Sequence, residues 1–322
     1  MSSRICDLTN LSRVDGDFFA VAEARPQQKK DGSPYMRARL RDATGVIAAV
    51  AWNDFETCRS ALVERRVVKV RGRVAPAWGG NGDGLELVIE RVRLAVDGEY
   101  DPREFLPQSS RLAAELVQEL CTLVNSLREP LRHLVWQVIE PDIERFQVWP
   151  AAEELHHAWL GGLLEHSLEV ARVAEAVVQV LPGPDRDLVV AGALLHDVGK
   201  LDAYEVEASF GASDEGKLLG HVLTGYHRVK VAADAVQAPT DLSVHLLHIV
   251  ASHHGLVEFG AAREPMTREA IVVHYADELS AQLMQANRAI AERSDPNARW
   301  ISRVRGLKRD VFAAPTLAVD SD

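Results

Sequence analysis

The sequence places a histidine and an aspartate side by side at the end of an apolar segment. Residues 188–195 are almost entirely apolar, and His196 and Asp197 follow them directly, before Gly199 and Lys200. A buried carboxylate without a partner would lose its charge or destabilise the fold. A divalent cation beside Asp197 would remove that penalty. We therefore predict a metal site here, with a plain buried His-Asp hydrogen bond as the alternative.

More histidines and carboxylates fall on predicted helices elsewhere in the chain. At helical spacing His166 shares a face with apolar residues, and so does Asp277 on a helix predicted over 267–292. His253 and His254 end another predicted helix and precede a glycine. The predicted metal ligands are His166, His196, Asp197, His221, His253, His254 and Asp277. Because one tetrahedral ion needs fewer ligands, the set predicts two ions bridged by the aspartate of the His-Asp pair.

The residue types of this set also predict the metal and its chemistry. Histidine-rich ligation favours Mn²⁺, with Fe²⁺ or Co²⁺ as alternatives, over Mg²⁺, which prefers oxygen ligands. Such ions lower the pKa of water and neutralise charge on phosphate oxygens, which suits hydrolysis of phosphate esters. We predict supporting positions beside the ligands for His157, His248 and His274.

The first part of the chain has the pattern of β-strands. Short β-prone segments bounded by turns occupy residues 18–24, 35–41, 46–52, 67–74 and 85–92. Five such strands predict a small barrel. Arg37, Arg39 and Arg41 alternate with apolar residues, which places three guanidinium groups on one face of one strand.

The order of these strands resembles a nucleic-acid-binding OB-fold, in which the loops after strands one and four flank the binding face. Those loops would be residues 25–34 and 75–84. Cations beside a tryptophan suit phosphate tracking and base stacking. The predicted nucleic-acid-binding residues are Lys29, Lys30, Arg37, Arg39, Trp52 and Trp78. The alternative is that Trp78 caps the barrel and the arginines are merely solvated.

The net charge of −11 argues at first against a nucleic-acid partner, because phosphate binding normally needs a basic face. Residues 1–97, however, hold 16 basic and 13 acidic residues, whereas residues 98–322 hold 20 and 34. A mildly basic front is consistent with phosphate binding and an acidic back with cation binding. Solvated acidic helices alone would give the same balance.

Composition predicts a cytoplasmic protein that does not enter a membrane. No run of about 18 apolar residues occurs, and the N-terminal residues lack a signal-peptide core. Cys6, Cys58 and Cys121 are scattered without metal or disulfide spacing, so we expect reduced thiols without a role.

The order of histidines and aspartates resembles the HD-domain metal-dependent phosphohydrolases. Together with the OB-like front, the segments 156–166, 216–221 and 252–255 resemble the YhaM-type 3′-to-5′ exoribonuclease family over about residues 15–290. The resemblance implies that His166, His196, Asp197 and Asp277 hold one metal and that His221, His253 and His254 complete a second. It also implies catalytic roles for Asp197, His221 and Lys200, with Lys200 meeting substrate phosphate. The turn at residues 260–262 departs from the family pattern.

These observations predict an N-terminal all-β OB-fold barrel followed by an all-α HD-domain helical bundle. The predicted boundaries are 1–97 for the OB-fold, 98–110 for a proline-containing linker, 111–294 for the HD domain with its bracing helices, and 295–322 for a weakly patterned tail. Predicted helices span 112–127 and 131–139, and another starts at Asp241.

The predicted function is metal-dependent 3′-to-5′ hydrolysis of single-stranded nucleic acid, with RNA favoured over DNA. Two alternatives stay open. One is an HD-domain phosphohydrolase that acts on a small nucleotide, and the other is a single-strand-binding protein with an inactive HD domain. A homo-oligomer is compatible with each.

Overall fold

The computed structural model describes residues 4–77, 84–96, 98–153, 157–207, 209–293 and 295–313. These residues form two units. The first comprises the described residues up to Gln108 together with Glu205–Gly211, and the second comprises Ser109–Tyr204 and the described residues from Ala212 onward.

The first unit is built on a closed five-stranded barrel. Its elements are β1 (Arg13–Gln28), β2 (Pro34–Asp42), β3 (Gly45–Ala51), α1 (Phe55–Ala61), β4 (Val67–Pro76) and β5 (Leu85–Leu94). The strand order is β1-β2-β3-β5-β4, and β1 pairs with β4 to close the barrel. Neighbouring strands are antiparallel except β3 and β5, which are parallel. All five predicted strands are therefore present.

Alternating side chains explain the barrel locally. Met36, Ala38 and Leu40 of β2 are buried in the barrel core, and the arginines between them lie on the other face. The turn from β2 to β3 is held by Asp42, whose Oδ1 accepts hydrogen bonds from the backbone amides of Thr44 and Gly45. Helix α1 was not predicted. Its apolar side packs against the barrel core through Cys58 and Ala61.

The second unit is mainly helical. Its helices are α2 (Ala113–Asn125), α3 (Leu131–Ile139), α4 (Ile143–Phe146), α5 (Gly162–Val180), α6 (Arg186–Leu195), α7 (Lys200–Ala203), α8 (Asp214–Leu218), α9 (Gly220–Ala235), α10 (Thr240–Ser252) and α11 (Arg268–Ala291). The predicted helices match α2, α3, α10 and α11 to within two residues at the ends that were predicted. Residues of α2, α3, α5, α6, α9, α10 and α11 share one continuous apolar core.

Helix α6 lies inside this core. Every residue from Leu188 to Leu195 is buried, which agrees with the apolar segment in the sequence. Asp185 caps the start of the helix, because its side chain accepts hydrogen bonds from the amides of Asp187 and Leu188. A buried and capped helix gives the residues that follow it a fixed position.

Two short hairpins correct the expectation that everything after the linker is helical. Strands β6 (Tyr204–Val206) and β7 (Phe210–Ala212) form one, and β8 (Trp300–Val304) and β9 (Arg309–Phe312) form the other. The second hairpin lies in the predicted tail, where the rings of Trp300 and Phe312 are 4.8 Å apart. Strands of three to five residues are too short for a clear alternation in the sequence.

A membrane-crossing helix is not found among the residues that the structure describes, since none of their helices is both long and apolar enough.

Candidate functional site

The seven predicted metal ligands come together in the second unit, although they lie up to 111 positions apart in sequence. Each is carried by a helix or by the residues that end one. His166 is on α5, His196 and Asp197 follow α6, His221 is in the first turn of α9, His253 and His254 follow α10, and Asp277 is on α11. Helix ends thus provide five of the seven side chains.

Asp197 lies at the centre of this cluster, and its two carboxylate oxygens face different histidines. Oδ2 is 3.5 Å from Nε2 of His166 and 3.3 Å from Nε2 of His196. Oδ1 is 3.4 Å from Nε2 of His221 and 3.6 Å from Nε2 of His253. The Asp197 carboxylate therefore lies between two sets of imidazoles, and each of its oxygens faces one set.

The remaining predicted ligands each join one set. Oδ1 of Asp277 lies 3.1 Å from Nε2 of His166, and Nε2 of His254 lies 2.9 Å from Nε2 of His221. The resulting groups are His166, His196 and Asp197, with Asp277 beside them, and His221, His253 and His254. In each group of three, one possible ligand atom per residue lies within 4.8 Å of the others.

The orientation of two imidazoles, those of His196 and His253, fits metal binding. Nδ1 of His196 donates to the carbonyl of Ala193 at 2.7 Å, and Nδ1 of His253 donates to the carbonyl of Val250 at 2.8 Å. Both rings thus cap the last turn of their own helix, three residues back. With the proton on Nδ1, the lone pair of each ring is on Nε2, the usual metal-binding atom of such histidines.

Buried acceptor atoms without a hydrogen-bond donor also indicate a metal site. Within the described chain, Nε2 of His196, Nε2 of His253 and Oδ1 of Asp197 are buried and have no hydrogen-bond donor. Native structures rarely leave such atoms without a partner unless a water or an ion binds them. A divalent cation would satisfy these acceptors, so the residues present fit a metal centre.

Lys200 supplies positive charge to the same carboxylate. Its Nζ is 2.5 Å from Oδ2 of Asp197, and both side chains are buried. Burial alone would raise the pKa of Asp197, but Lys200, His196 and His221 hold it well below its usual range. Burial likewise opposes the charge on Lys200, but Asp197 outweighs burial and raises the lysine pKa. The predicted contact of Lys200 with substrate phosphate stays a prediction.

Most of the imidazoles are held neutral, which is the form that binds metals. Burial lowers the pKa of His221 to about 3, with a further contribution from Lys200. Burial also lowers the pKa of His166 and His254, and places that of His253 well below its usual range. His196 differs, because the Asp197 carboxylate outweighs the effect of burial and raises its pKa.

A second layer of polar side chains supports His166. Nε2 of His157 lies 3.2 Å from Oε2 of Glu169, and the same oxygen accepts a hydrogen bond of 3.0 Å from Ser280. The Ser280 hydroxyl lies 3.4 Å from Nδ1 of His166. His157 therefore lies near the ligands, as predicted, whereas Glu169 and Ser280 were missed. Their spacing is the available signal, since each follows a predicted ligand by one helical turn.

The other two histidines predicted beside the ligands differ in position. Nδ1 of His274 donates to the carbonyl of His253 at 2.7 Å, and its ring packs so closely on Gly255 that a Cβ there would lie 2.3 Å from Cε1. His274 thus supports the turn that carries the paired histidines. Nε2 of His248 accepts from the amide of Met266 at 2.8 Å, in the connection to α11, and no described contact joins it to a ligand.

The barrel carries a separate cleft of about 750 Å³, lined by predicted nucleic-acid-binding residues Lys29, Lys30 and Trp52. The rings of Trp52 and Tyr35 are stacked, with centroids 4.7 Å apart and planes at 26°. Nζ of Lys29 lies 6.0 Å from the centroid of the Trp52 ring. An aromatic pair with lysines beside it can stack a base and attract phosphate. Tyr35 was not among the predicted residues.

The predicted arginines lie in a smaller groove of the barrel, and their charges are partly balanced. Arg37 is 3.7 Å from Glu86, and Arg39 is 3.9 Å from Glu23. This strand face is therefore less basic than the sequence pattern suggested. Trp78, the remaining predicted residue, lies outside the described residues.

Comparisons with family models match both units. The model of the HD domain matches residues 163–282, and the model of an OB-fold nucleic acid binding domain matches residues 21–95. A third model, TraI_2, matches residues 104–181. The predicted fold, an N-terminal OB-fold barrel followed by an HD-domain helical bundle, is confirmed.

Individual proteins are similar over most of the chain or over one part of it. The 3′-5′ exoribonuclease YhaM of Bacillus velezensis is 29% identical over 301 residues, which are 93% of this chain and 94% of that protein. The second OB-fold domain of replication protein A from Methanococcus maripaludis matches at 19% identity, covering 31% of this chain and 100% of that domain with a TM-score of 0.24. The HD domain of the phosphodiesterase PgpH from L. monocytogenes matches at 18% identity, covering 53% and 77%, with a TM-score of 0.30.

Proposed function

As a homologue of the YhaM exoribonuclease with an OB-fold and an HD domain, this chain is, we propose, a metal-dependent 3′-to-5′ exonuclease acting on single-stranded nucleic acid. We further propose RNA as the preferred substrate, because the relative is named an exoribonuclease. The cytoplasmic location and the homo-oligomer stay predictions.

The arrangement around Asp197 is the observation that carries this proposal. His166, His196 and Asp277 would hold one cation together with Asp197, and His221, His253 and His254 would hold a second, also together with Asp197. Cations held there would provide a nucleophile from water at neutral pH and neutralise charge on the phosphate. Because the ligands are mostly imidazoles, we propose Mn²⁺ before Fe²⁺ or Co²⁺.

The residues of the chain have distinct tasks in this function. His196 and His253 are held in the metal-binding tautomer by carbonyls of their own helices. Ser280 lies beside Nδ1 of His166 and orients its ring, and Glu169 accepts a hydrogen bond from Ser280. The ammonium group of Lys200 donates a hydrogen bond to Asp197 and balances its negative charge.

The barrel would bind the single strand. The stacked Trp52 and Tyr35 offer an apolar surface for a base, and Lys29 places a cation near it. Stacking and charge attraction do not select particular bases, which suits an enzyme that shortens strands of any sequence.

The decisive experiment incubates the purified protein with Mn²⁺ and a 5′-labelled single-stranded RNA or the matching DNA, and resolves the products on a gel. We expect a ladder that shortens from the 3′ end and forms faster with RNA. Intact strands together with hydrolysis of a small nucleotide would support the phosphohydrolase alternative. Intact strands with tight strand binding and no bound transition metal would support an inactive HD domain.

A further inference from the structure

A cavity of about 420 Å³ opens beside the second group of predicted ligands. His221 and His254 line it on the side of that group, and Leu219, Leu223 and Phe259 also line it. Apart from the two imidazoles, the described residues of its wall have no ionisable side chain. The cavity is therefore mainly apolar, and it is continuous with the candidate metal centre through His221 and His254.

Three apolar side chains of the wall are exposed and are not buried in the core of the fold. Leu219, Leu223 and Phe259 expose 52%, 53% and 62% of their surface. Single exposed apolar side chains are ordinary, but a group of them around a cavity marks a binding surface. Their position next to His221 and His254 connects that surface to the reaction.

The loop that carries Phe259 is held in place by its backbone. Phe259 ends a short turn of helix, Val257–Phe259, and its amide donates to the carbonyl of Leu256 at 3.0 Å. Gly260 follows with a φ of +99°, a conformation that favours glycine, and the amide of Ala262 donates to Ala251 at 2.8 Å. Phe259 is thus presented to the cavity from a defined turn.

We propose that this cavity binds the nucleobase of the 3′-terminal nucleotide, with Phe259 stacked on its ring. The inference rests on the proposed exonuclease function. If the scissile phosphate lies at the ligands that His221 and His254 provide, the terminal base is attached one sugar away, within reach of the adjoining wall. A flat, neutral ring matches an apolar wall with one aromatic side chain. Apart from the two imidazoles, the described wall has no side chain that could hydrogen-bond to the edge of a base, so binding should depend little on which base is present.

Substitution of Phe259 tests the proposal. Phe259→Ala should raise KM on single-stranded RNA about tenfold with little change in kcat, because it removes stacking that the substrate and the transition state share. Phe259→Tyr keeps the ring and should retain the original KM. Val257→Ala is the matched control, since Val257 is 64% exposed on the same turn and is not part of the cavity wall.

An RNA that ends in a 3′-terminal abasic nucleotide is the second arm. For the unaltered protein, KM on this RNA should rise by the same factor as Phe259→Ala raises it on ordinary RNA. For Phe259→Ala, the abasic end should cause no further rise in KM, because the two changes remove one interaction. Equal KM values for Phe259→Ala and the unaltered protein on ordinary RNA would overturn the base site while leaving the exonuclease function intact. If the unaltered protein shortens neither RNA, the exonuclease function fails and the base site fails with it.

Discussion

The candidate metal centre and the barrel cleft are built in opposite ways. The metal centre gathers buried and half-buried side chains from five helices, and burial together with charged neighbours shifts their pKa values. The barrel cleft is lined by residues from the end of β1, the loop after it, β2, the position after β3, β4 and β5. Its two lysines and Trp52 are half-buried or exposed. Buried, mutually dependent groups should fail together, whereas exposed groups that act side by side should fail one at a time.

The largest effect is expected at Asp197. Asp197→Ala removes the carboxylate that both predicted ion sites share, and we expect hydrolysis to fall by at least about 10²–10³-fold, the size seen when one essential charge-stabilising group is lost. Strand binding by the barrel should persist. Gel assays of hydrolysis and fluorescence titration of a labelled strand measure the two properties separately.

A matched control guards against misfolding of that variant. Removing one partner of a buried ion pair costs about 3–5 kcal/mol of stability, so Asp197→Ala leaves Lys200 in an unfavourable position. The double variant Asp197→Asn with Lys200→Met removes both charges and should fold better, yet stay inactive. Hydrolysis by this folded double variant would contradict a metal centre at Asp197.

A smaller loss of activity is expected at Glu169, which supports a predicted ligand and is not one itself. Glu169→Gln weakens the support of His157, Ser280 and His166, and losses of about 10–100-fold in metal affinity or activity are typical for such positions. Metal titration followed by activity at saturating Mn²⁺ separates affinity from turnover. Glu175→Gln is the control, because Glu175 lies on the same helix but pairs with Arg186. Equal losses in both variants would show that Glu169 acts only through the helix.

On the barrel the expected loss is graded. Trp52→Ala should weaken single-strand binding about tenfold by removal of one stacking partner, whereas Trp52→Phe should retain most of the affinity. Fluorescence anisotropy of a labelled strand measures this. Trp300→Ala, at an exposed tryptophan outside the barrel, should leave the affinity unchanged. Complete loss of binding with Trp52→Ala would show that the cleft is as interdependent as the metal centre.

Acid should affect the metal centre through stability. The pKa of His221 is lowered to about 3 in the folded chain from an ordinary 6.5. Between these pH values the unfolded chain binds a proton that the folded chain does not, so the free energy of unfolding falls by up to about 1.4 kcal/mol per pH unit as the pH decreases. Above pH 6.5 this histidine contributes no dependence.

Urea unfolding in the presence of EDTA at several pH values measures that slope. His221→Asn should make the slope shallower, because the asparagine does not titrate. His227→Asn, at an exposed histidine of the same helix, should leave it unchanged. An unaltered slope in His221→Asn would show that His221 is protonated as readily in the folded chain as in the unfolded one.

The sequence by itself determined the features that depend on neighbouring residues. Alternation in β2, the apolar segment before His196 and the spacing of His166 and Asp277 on helical faces each follow from local periodicity. These patterns were enough to predict the barrel, the main helices and the ligand set that the structure brings together, because burial of a periodic face leaves a regular signal.

Only the tertiary structure decided which side chains meet across elements. The contact of Ser280 with His166, the stack of Tyr35 on Trp52 and the place of His248 away from the ligands depend on how distant segments pack. The balance of the strand arginines by Glu23 and Glu86 is of the same kind. Local periodicity does not give the distances between separate helices and strands. The surroundings that shift a pKa or form a cavity exist only after those elements have packed together.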